Sequence, residues 1–209
     1  DITSQMPAAL SLIAYLKAES AADAWVSDYY TTIPPTGSIA TGSLRRQALV
    51  KRHAPDSTFQ SIRGNIDTRV RTYAQSGAVG TLLSVAGLVR LNLSCSYTIL
   101  PTDQFVPAPG QGVIVLQMRR NDKRHPHISL IQDHAQAHLS QIEQLFLHAV
   151  GLDCRAPLGV YAYIANKITY LRVFIAKLDP FDYIQRDTVI SDDETVYNLA
   201  DFILGWLAS

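Results

Sequence analysis

The stretch SIRGNIDTRVRTYAQ, residues 61–75, sets Arg63, Arg69 and Arg71 around a Gly-Asn turn. Upstream, TGSLRR adds Arg45 and Arg46, and downstream AGLVRL adds Arg90. Between Leu44 and Arg71 seven Lys or Arg face only two acids, Asp56 and Asp67. Guanidinium forks take carboxylates pairwise, each charge-assisted bond contributing ~1.5–3 kcal/mol. Converging arginines therefore suit a polycarboxylate, a sulfate or a phosphate, and the hydroxyls of Thr41 and Ser43 can add donors. The plain alternative is a solvated basic face. A nucleotide cradle has no support, because neither a Gly-x-x-x-x-Gly-Lys-Ser/Thr loop nor a Gly-x-Gly-x-x-Gly run occurs. Aromatic residues do not interleave with the basic stretch, which weakens a single-strand-binding reading.

Other candidate chemistry is thinner. His134 and His138 sit four apart but lack the Glu of a His-Glu-x-x-His motif and an evident third ligand, so no metal is expected. Taken alone, Cys95 and Cys154 read as small buried residues, and a reducing cytoplasm is the expected setting. The 209 residues carry 18 basic and 18 acidic groups, a balance that argues against a general nucleic-acid binder. No apolar run approaches 18 residues, so no membrane span is expected, and no secretory leader is visible.

The elements that must position the arginines follow from pattern. Leu10–Leu16 and Asp23–Ser27 read as strands, with a Pro-Pro-Thr-Gly turn at 34–37. GSIAT is a strand, and Ser43 caps a helix over LRRQALVKRHA that Pro55 stops. TFQSI is a strand. Asn65 caps a helix carrying Ile66, Val70 and Tyr73 on one face, and Gly77 ends it. GTLLSV is a buried strand and AGLVRL a short helix. This alternation predicts a doubly wound α/β domain, with the arginines at strand-to-helix transitions where ligands of such sheets collect. After PAPGQG, VIVLQM is a strand. An amphipathic helix is then expected from about His127 to Val150, its core face marked by Ile128, Ile131, Leu139, Ile142, Leu145, Phe146 and Ala149. The remainder reads as a small α+β unit. It has a hairpin turning at Asn166-Lys167, a third strand DYIQRDTVI, and a final helix capped by Ser191. Tyr161, Tyr163 and Tyr170 alternate in the hairpin as sheet packing.

TGSLRRQALV, SIRGNIDTRVR, AGLVRL, PAPGQG and LDCRAPLGV, in that order and spacing, resemble the hydroxymethylbilane synthase family, also called porphobilinogen deaminase. The resemblance runs from residue 1 to about 178. It implies two lobes like those of periplasmic binding proteins and a small C-terminal α+β domain. Residues 1–20, with about 111–126 returning, would be a remnant of the first lobe. Residues 21–110 would be the second, anion-binding lobe, and 127–209 the C-terminal domain. Most of the family's first domain would then be missing from the chain.

The family condenses four porphobilinogen molecules head to tail, each losing ammonia, on a covalent dipyrromethane cofactor made from its own substrate. The resemblance implies that Cys154 carries this cofactor. Arg45, Arg46, Arg63, Arg69 and Arg90 would hold pyrrole carboxylates, Thr41 and Ser43 would add hydroxyl contacts, and Gln111-Gly112 would form the turn at the lobe crossing. Asp1 matches the catalytic aspartate, which steadies positive charge as ammonia leaves. A cytoplasmic monomer with no nucleic-acid or membrane partner is implied. The chain departs from the family pattern at Gly42, in place of a serine, at Leu152 and Asp153, in place of two glycines, and at Gln144, in place of an arginine. Asp153 beside Cys154 disfavours its thiolate. These departures keep a second reading open, a relative that binds polycarboxylates or tetrapyrroles without catalysis, or an inactive fragment of the enzyme.

Overall fold

The computed structural model describes residues 7–152 and 155–209. The chain is a mixed α/β protein. Its largest unit is a five-stranded sheet in the order β4-β3-β5-β2-β6, built from Asp23–Val26 (β2), Thr36–Ala40 (β3), Asp56–Gln60 (β4), Gly80–Ser84 (β5) and Tyr97–Ile99 (β6). The central strands are short apolar runs because both faces are covered. Trp25, Ile39 and Leu82 point into one core, whereas Ala24, Val26, Ala40 and Leu83 point into the other. The doubly wound expectation holds in part. Strand β3 is parallel to β4 and β5, but β2 runs antiparallel to β5 and β6, so the sheet is mixed.

Helices follow each parallel strand. Leu44–His53 (α1) starts at Ser43, whose hydroxyl accepts from the Arg46 N–H. Ile66–Ser76 (α2) starts at Asn65, whose side chain makes no capping bond, and stops at Gly77 in the left-handed conformation (φ 68°) that glycine adopts without strain. Val85–Arg90 (α3) follows β5 directly. Tyr73, Val85 and Leu88 from α2 and α3 close the second core.

Two further sheets complete the chain. Leu10–Tyr15 (β1) pairs antiparallel with Val115–Arg119 (β7) as a two-stranded ribbon. Leu158–Ala165 (β8), Ile168–Leu178 (β9) and Phe181–Val189 (β10) form an antiparallel sheet in sequence order. Its hairpin turns at Asn166 (φ 51°) and Lys167 (φ 66°), the positive-φ pair that matches strand twist. The Tyr161, Tyr163 and Tyr170 rings stack at 5.6 and 5.3 Å. One face of this sheet buries Leu158, Val160, Leu171 and Val173 against two helices, His134–Val150 (α5) and Asp193–Ala208 (α6). On the other face Phe174 and Ala176 join Ala48 and Leu49 of α1, which ties the C-terminal unit to the large sheet.

Two boundaries differ from expectation. The helix predicted from about His127 is broken. His125–Ile128 (α4) is a single turn with Pro126 in its first turn, a 3-10 turn spans Ser129–Ile131, and α5 begins afresh at Asp133, whose carboxylate accepts from the Gln136 N–H. Ile128 and Ile131 therefore lie off α5, and Ile131 is exposed. The final helix is capped by Asp192, accepting from the Thr195 N–H, and not by Ser191.

Candidate functional site

The loops after β3, β4 and β5 meet at the carboxyl ends of those strands. Thr41 to Ser43 lead into α1, and the first turn of α1 carries Arg45 and Arg46. Asp23 begins β2, opposite Ser84 at the end of β5. Its carboxylate is fully buried and lies between the two guanidinium groups. Arg45 Nη1 donates to Asp23 Oδ2 at 2.7 Å, and Arg46 donates to Oδ1 through Nη2 at 2.7 Å and Nε at 3.1 Å. Gln111 Nε2 donates to the same Oδ1 at 3.0 Å and to the Ala21 carbonyl at 2.6 Å, while Gln111 Oε1 accepts from Arg45 Nη2 at 3.2 Å. Burial alone would push the Asp23 carboxyl up, but the Arg45 and Arg46 charges and their hydrogen bonds outweigh it and hold it at about 2.

This cluster gives Arg45 and Arg46 an acid from outside Leu44–Arg71, where the sequence offered only Asp56 and Asp67. Arg45 also donates to the Val106 carbonyl at 2.7 Å, so it is a buried clamp and does not line the cleft described next. Arg46 donates once more, to the Leu82 carbonyl at 2.9 Å. Three of its five N–H groups are thus committed, and two remain.

Arg46 lines a cleft of about 420 Å³ together with Asn65, Ile66, Arg69, Ser84 and Leu91 among others, and among the described residues no acid stands in its wall. Arg69 uses its Nε to hold the Gly64 carbonyl at 2.7 Å, leaving the rest of its fork without a partner among the described residues. Partial burial and then the Arg46 charge lower the Arg69 pKa, and among the described residues Arg69 has no acidic partner. The start of α2 opens onto the same cleft and adds unpaired N–H groups. Such a cleft offers the donors and the charge that an anion needs.

The other expected residues fall into three groups. Arg90 donates to the Gly112 carbonyl at 2.7 Å and so braces the crossing at 107–112. Thr41 is buried, its hydroxyl accepting from the Ser43 N–H, and with Ser43 it shapes the α1 start. Arg63 is exposed, three residues beyond β4 in place of the strand end expected, and makes no ion pair among the described residues. Asp1 and Cys154 lie outside the described residues. Gly112 has φ +83°, and a Cβ there would sit 2.3 Å from the Ser20 carbonyl oxygen, so only glycine lets the two chain crossings touch. Sequence reasoning missed Asp23 and Glu143. For Asp23 the available signal was an acid opening an otherwise apolar strand, DAWV. Glu143 on α5 is buried, and its carboxylate accepts the Gly110 N–H at 2.7 Å and the Ala162 N–H at 2.9 Å. Burial, only partly offset by these N–H groups, raises its pKa to about 7.

The two buried acids give opposite pH dependences. Asp23 is depressed from 3.8, so its contribution is present above that value and is lost as pH falls through about 2. Glu143 is raised from 4.5, so its contribution is present below that value and is lost as pH rises through about 7. Urea-unfolding midpoints measured from pH 2 to 8 are expected to peak between about 4 and 5. In Glu143→Gln the decline above pH 4.5 is expected to vanish; a decline equal to the unsubstituted chain's would contradict the assignment.

Fold and site together define an α/β domain whose strand ends form a guanidinium-lined anion cleft. A family model described as "Porphobilinogen deaminase, dipyromethane cofactor binding domain" matches residues 1–127. The porphobilinogen deaminase of Nitrobacter hamburgensis is 38% identical over 184 residues, covering 86% of this chain and 58% of that protein. That of Rubrobacter xylanophilus is 33% identical over 183 residues, covering 86% and 60%. The probable porphobilinogen deaminase of Methanosarcina acetivorans is 31% identical over 196 residues, covering 91% and 62%. The chain belongs to the porphobilinogen deaminase family, and it spans about three fifths of the length of these curated relatives.

Proposed function

We propose that the chain is part of a hydroxymethylbilane synthase, a transferase that joins four porphobilinogen molecules head to tail with loss of ammonia. The observation that carries this reading is a cleft lined by Arg46 and Arg69, with no acid in its wall among the described residues, in a chain of this family. Each pyrrole of the substrate and of the dipyrromethane cofactor bears an acetate and a propionate. The cleft's donors fit them, since a carboxylate there would find the guanidiniums of Arg46 and Arg69. Arg46 and Arg69 would hold and orient carboxylates. Asp23 would fix the guanidinium of Arg46, and Arg90 would keep the 107–112 crossing closed over the site. Arg63, exposed at the margin, would draw carboxylates in. Bound through Cys154, the cofactor supplies the primer from which the pyrrole chain grows. Asp1 would stabilise positive charge at the reacting centre.

The same reading assigns 1–20 and about 111–126 to one lobe of a periplasmic-binding-protein-like pair, 21–110 to the other, and 127–209 to a cofactor-carrying domain. Support comes from the crossings. The β1–β7 ribbon stands apart from the five-stranded sheet, and residues 16–22 and 107–113 run between them. A cytoplasmic monomer is the setting the family reading carries.

The full-length gene product is the material for the test. Intact mass and the mass of the Cys154 peptide are expected to show two linked pyrroles on that cysteine. Cys154→Ala is expected to lose both the adduct and porphobilinogen consumption. A bare cysteine with no consumption would overturn the synthase reading. If polycarboxylates still bound tightly, that outcome would identify the non-catalytic relative that the altered residues Leu152 and Asp153 suggest.

A further inference from the structure

A second cavity, of about 380 Å³, shares Gln111 with the Asp23 cluster but contains none of the arginines. It lies where the segments 18–22 and 108–113 meet α5 and β8, and its walls include Glu19, Gln136, Glu143, Tyr161 and Tyr163. Among the described residues no Lys, Arg or His lines it. The volume suits a small molecule.

Glu143 is the unusual wall residue. It is only 7% exposed, yet among the described residues it has no cationic partner; its bonds there are the backbone N–H groups of Gly110 and Ala162, one to each carboxylate oxygen. A carboxylate oxygen accepts two hydrogen bonds, so each oxygen keeps one acceptor position unused. A buried carboxylate without a counter-charge is costly, and a cation beside it removes much of that cost. The Tyr161 phenol lies in the same field, raised by burial and then by the Glu143 charge. Tyr161 and Tyr163 stack at 5.6 Å; the Arg172 guanidinium already lies 5.0 Å over the Tyr163 ring, so Tyr161 is the aromatic neighbour an alkylammonium would use. Glu19, exposed on the segment after β1, adds a second negative charge.

We propose that this cavity is a binding site for a small primary ammonium ion, whose N–H groups take the unused acceptor positions of Glu143 while its carbon chain lies against Tyr161. Besides Glu143, the titratable groups among the described residues that face the cavity are Glu19, Tyr161 and Tyr163, with Arg172 behind Tyr163; α5 and the 107–113 segment add the amides Gln136 and Gln111. The ammonium form competes with a proton for Glu143, so binding strengthens as pH rises through about 7. Through Gln111 an occupant adjoins the Arg45–Asp23 clamp. The proposal does not depend on the synthase reading.

The test titrates butylammonium chloride into the protein at constant ionic strength, with sodium butyrate as the control. The Gly110 and Ala162 amides are expected to shift in ¹H–¹⁵N spectra with butylammonium and not with butyrate. The affinity at pH 8 is expected to be about ten times that at pH 6, following the ionised fraction of a group titrating near 7. Glu143→Gln is expected to lose the binding. Unmoved amides, equal shifts with butyrate, or an affinity independent of pH would each overturn the proposal. The spectra and the pH ratio decide it even if Glu143→Gln does not fold.

Discussion

Asp23→Ala destabilises the chain by about 3–5 kcal/mol, because it strands two buried guanidinium groups without their counter-charge. The loss goes beyond one ion pair. The Asp23 carboxylate accepts from Arg45, twice from Arg46 and once from Gln111, all within 3.1 Å. Removing it breaks the link between β2, α1 and the crossing at 107–112 in one step. Asp23→Asn keeps the shape but not the charge and is expected to cost nearly as much. Urea unfolding at pH 7 measures both, and a loss below about 1 kcal/mol would show that the charges find water or other partners. A double-mutant cycle with Arg45→Gln separates the pair from its surroundings. The two losses are expected to sum to more than the double variant's, since the groups share one network. Of the two positions in the cycle, anion affinity should fall with stability at Asp23 and not at Arg45, because without Asp23 Arg46 loses the contact that fixes its fork, whereas Arg45 does not line the cleft.

Gly112→Ala carries the second large effect. A methyl at this position meets the Ser20 carbonyl oxygen at 2.3 Å and its carbon at 2.9 Å, both backbone atoms that no rotamer change can move. The backbone at φ +83° adds its own penalty for any L side chain. About 3 kcal/mol or more is expected from strain and displacement together. The displaced carbonyl of Gly112 also receives Arg90, so that brace loosens at the same time. Thermal unfolding gives the stability, and citrate titration gives the cleft. Expected is a lower unfolding temperature with weakened citrate binding; a temperature unchanged within about 2 °C would mean that the crossings separate freely.

Much of this fold is legible in the chain because it is local. Ser43 three residues before the Arg46 N–H, Gly77 after an i, i+4, i+7 stripe, and Asn166-Lys167 between alternating strands each act over a few residues, and each sits where the pattern places it. Errors arose where local signals compete. Ile128 and Ile131 keep helical spacing with Leu139, but Pro126 and the Asp133 cap divide the segment into separate turns. Ser191 and Asp192 are both good caps, and the carboxylate, the stronger acceptor, holds the Thr195 N–H. The site was half legible. Arg46 and Arg69 could be placed at strand ends by counting, yet the pairing of Asp23 with Arg45 and Arg46 spans more than twenty residues of chain and depends on β2 running antiparallel beside β5. Counting acids only between Leu44 and Arg71 could not reveal it. Glu143 stayed hidden because its partners are backbone groups, which leave no mark in side-chain chemistry.

The four-residue cluster of Asp23, Arg45, Arg46 and Gln111 has a consequence for inheritance. Each member satisfies at least two others or a buried carbonyl, so a single replacement leaves a charge or an amide stranded in a dry interior. Drift through one-letter steps is therefore blocked at all four positions, and lineages should keep the set whole or exchange it whole. An exposed residue such as Arg63 is under no such rule. Among the described residues it makes no ion pair, so such exposed positions are where related chains can vary while the buried quartet stays fixed.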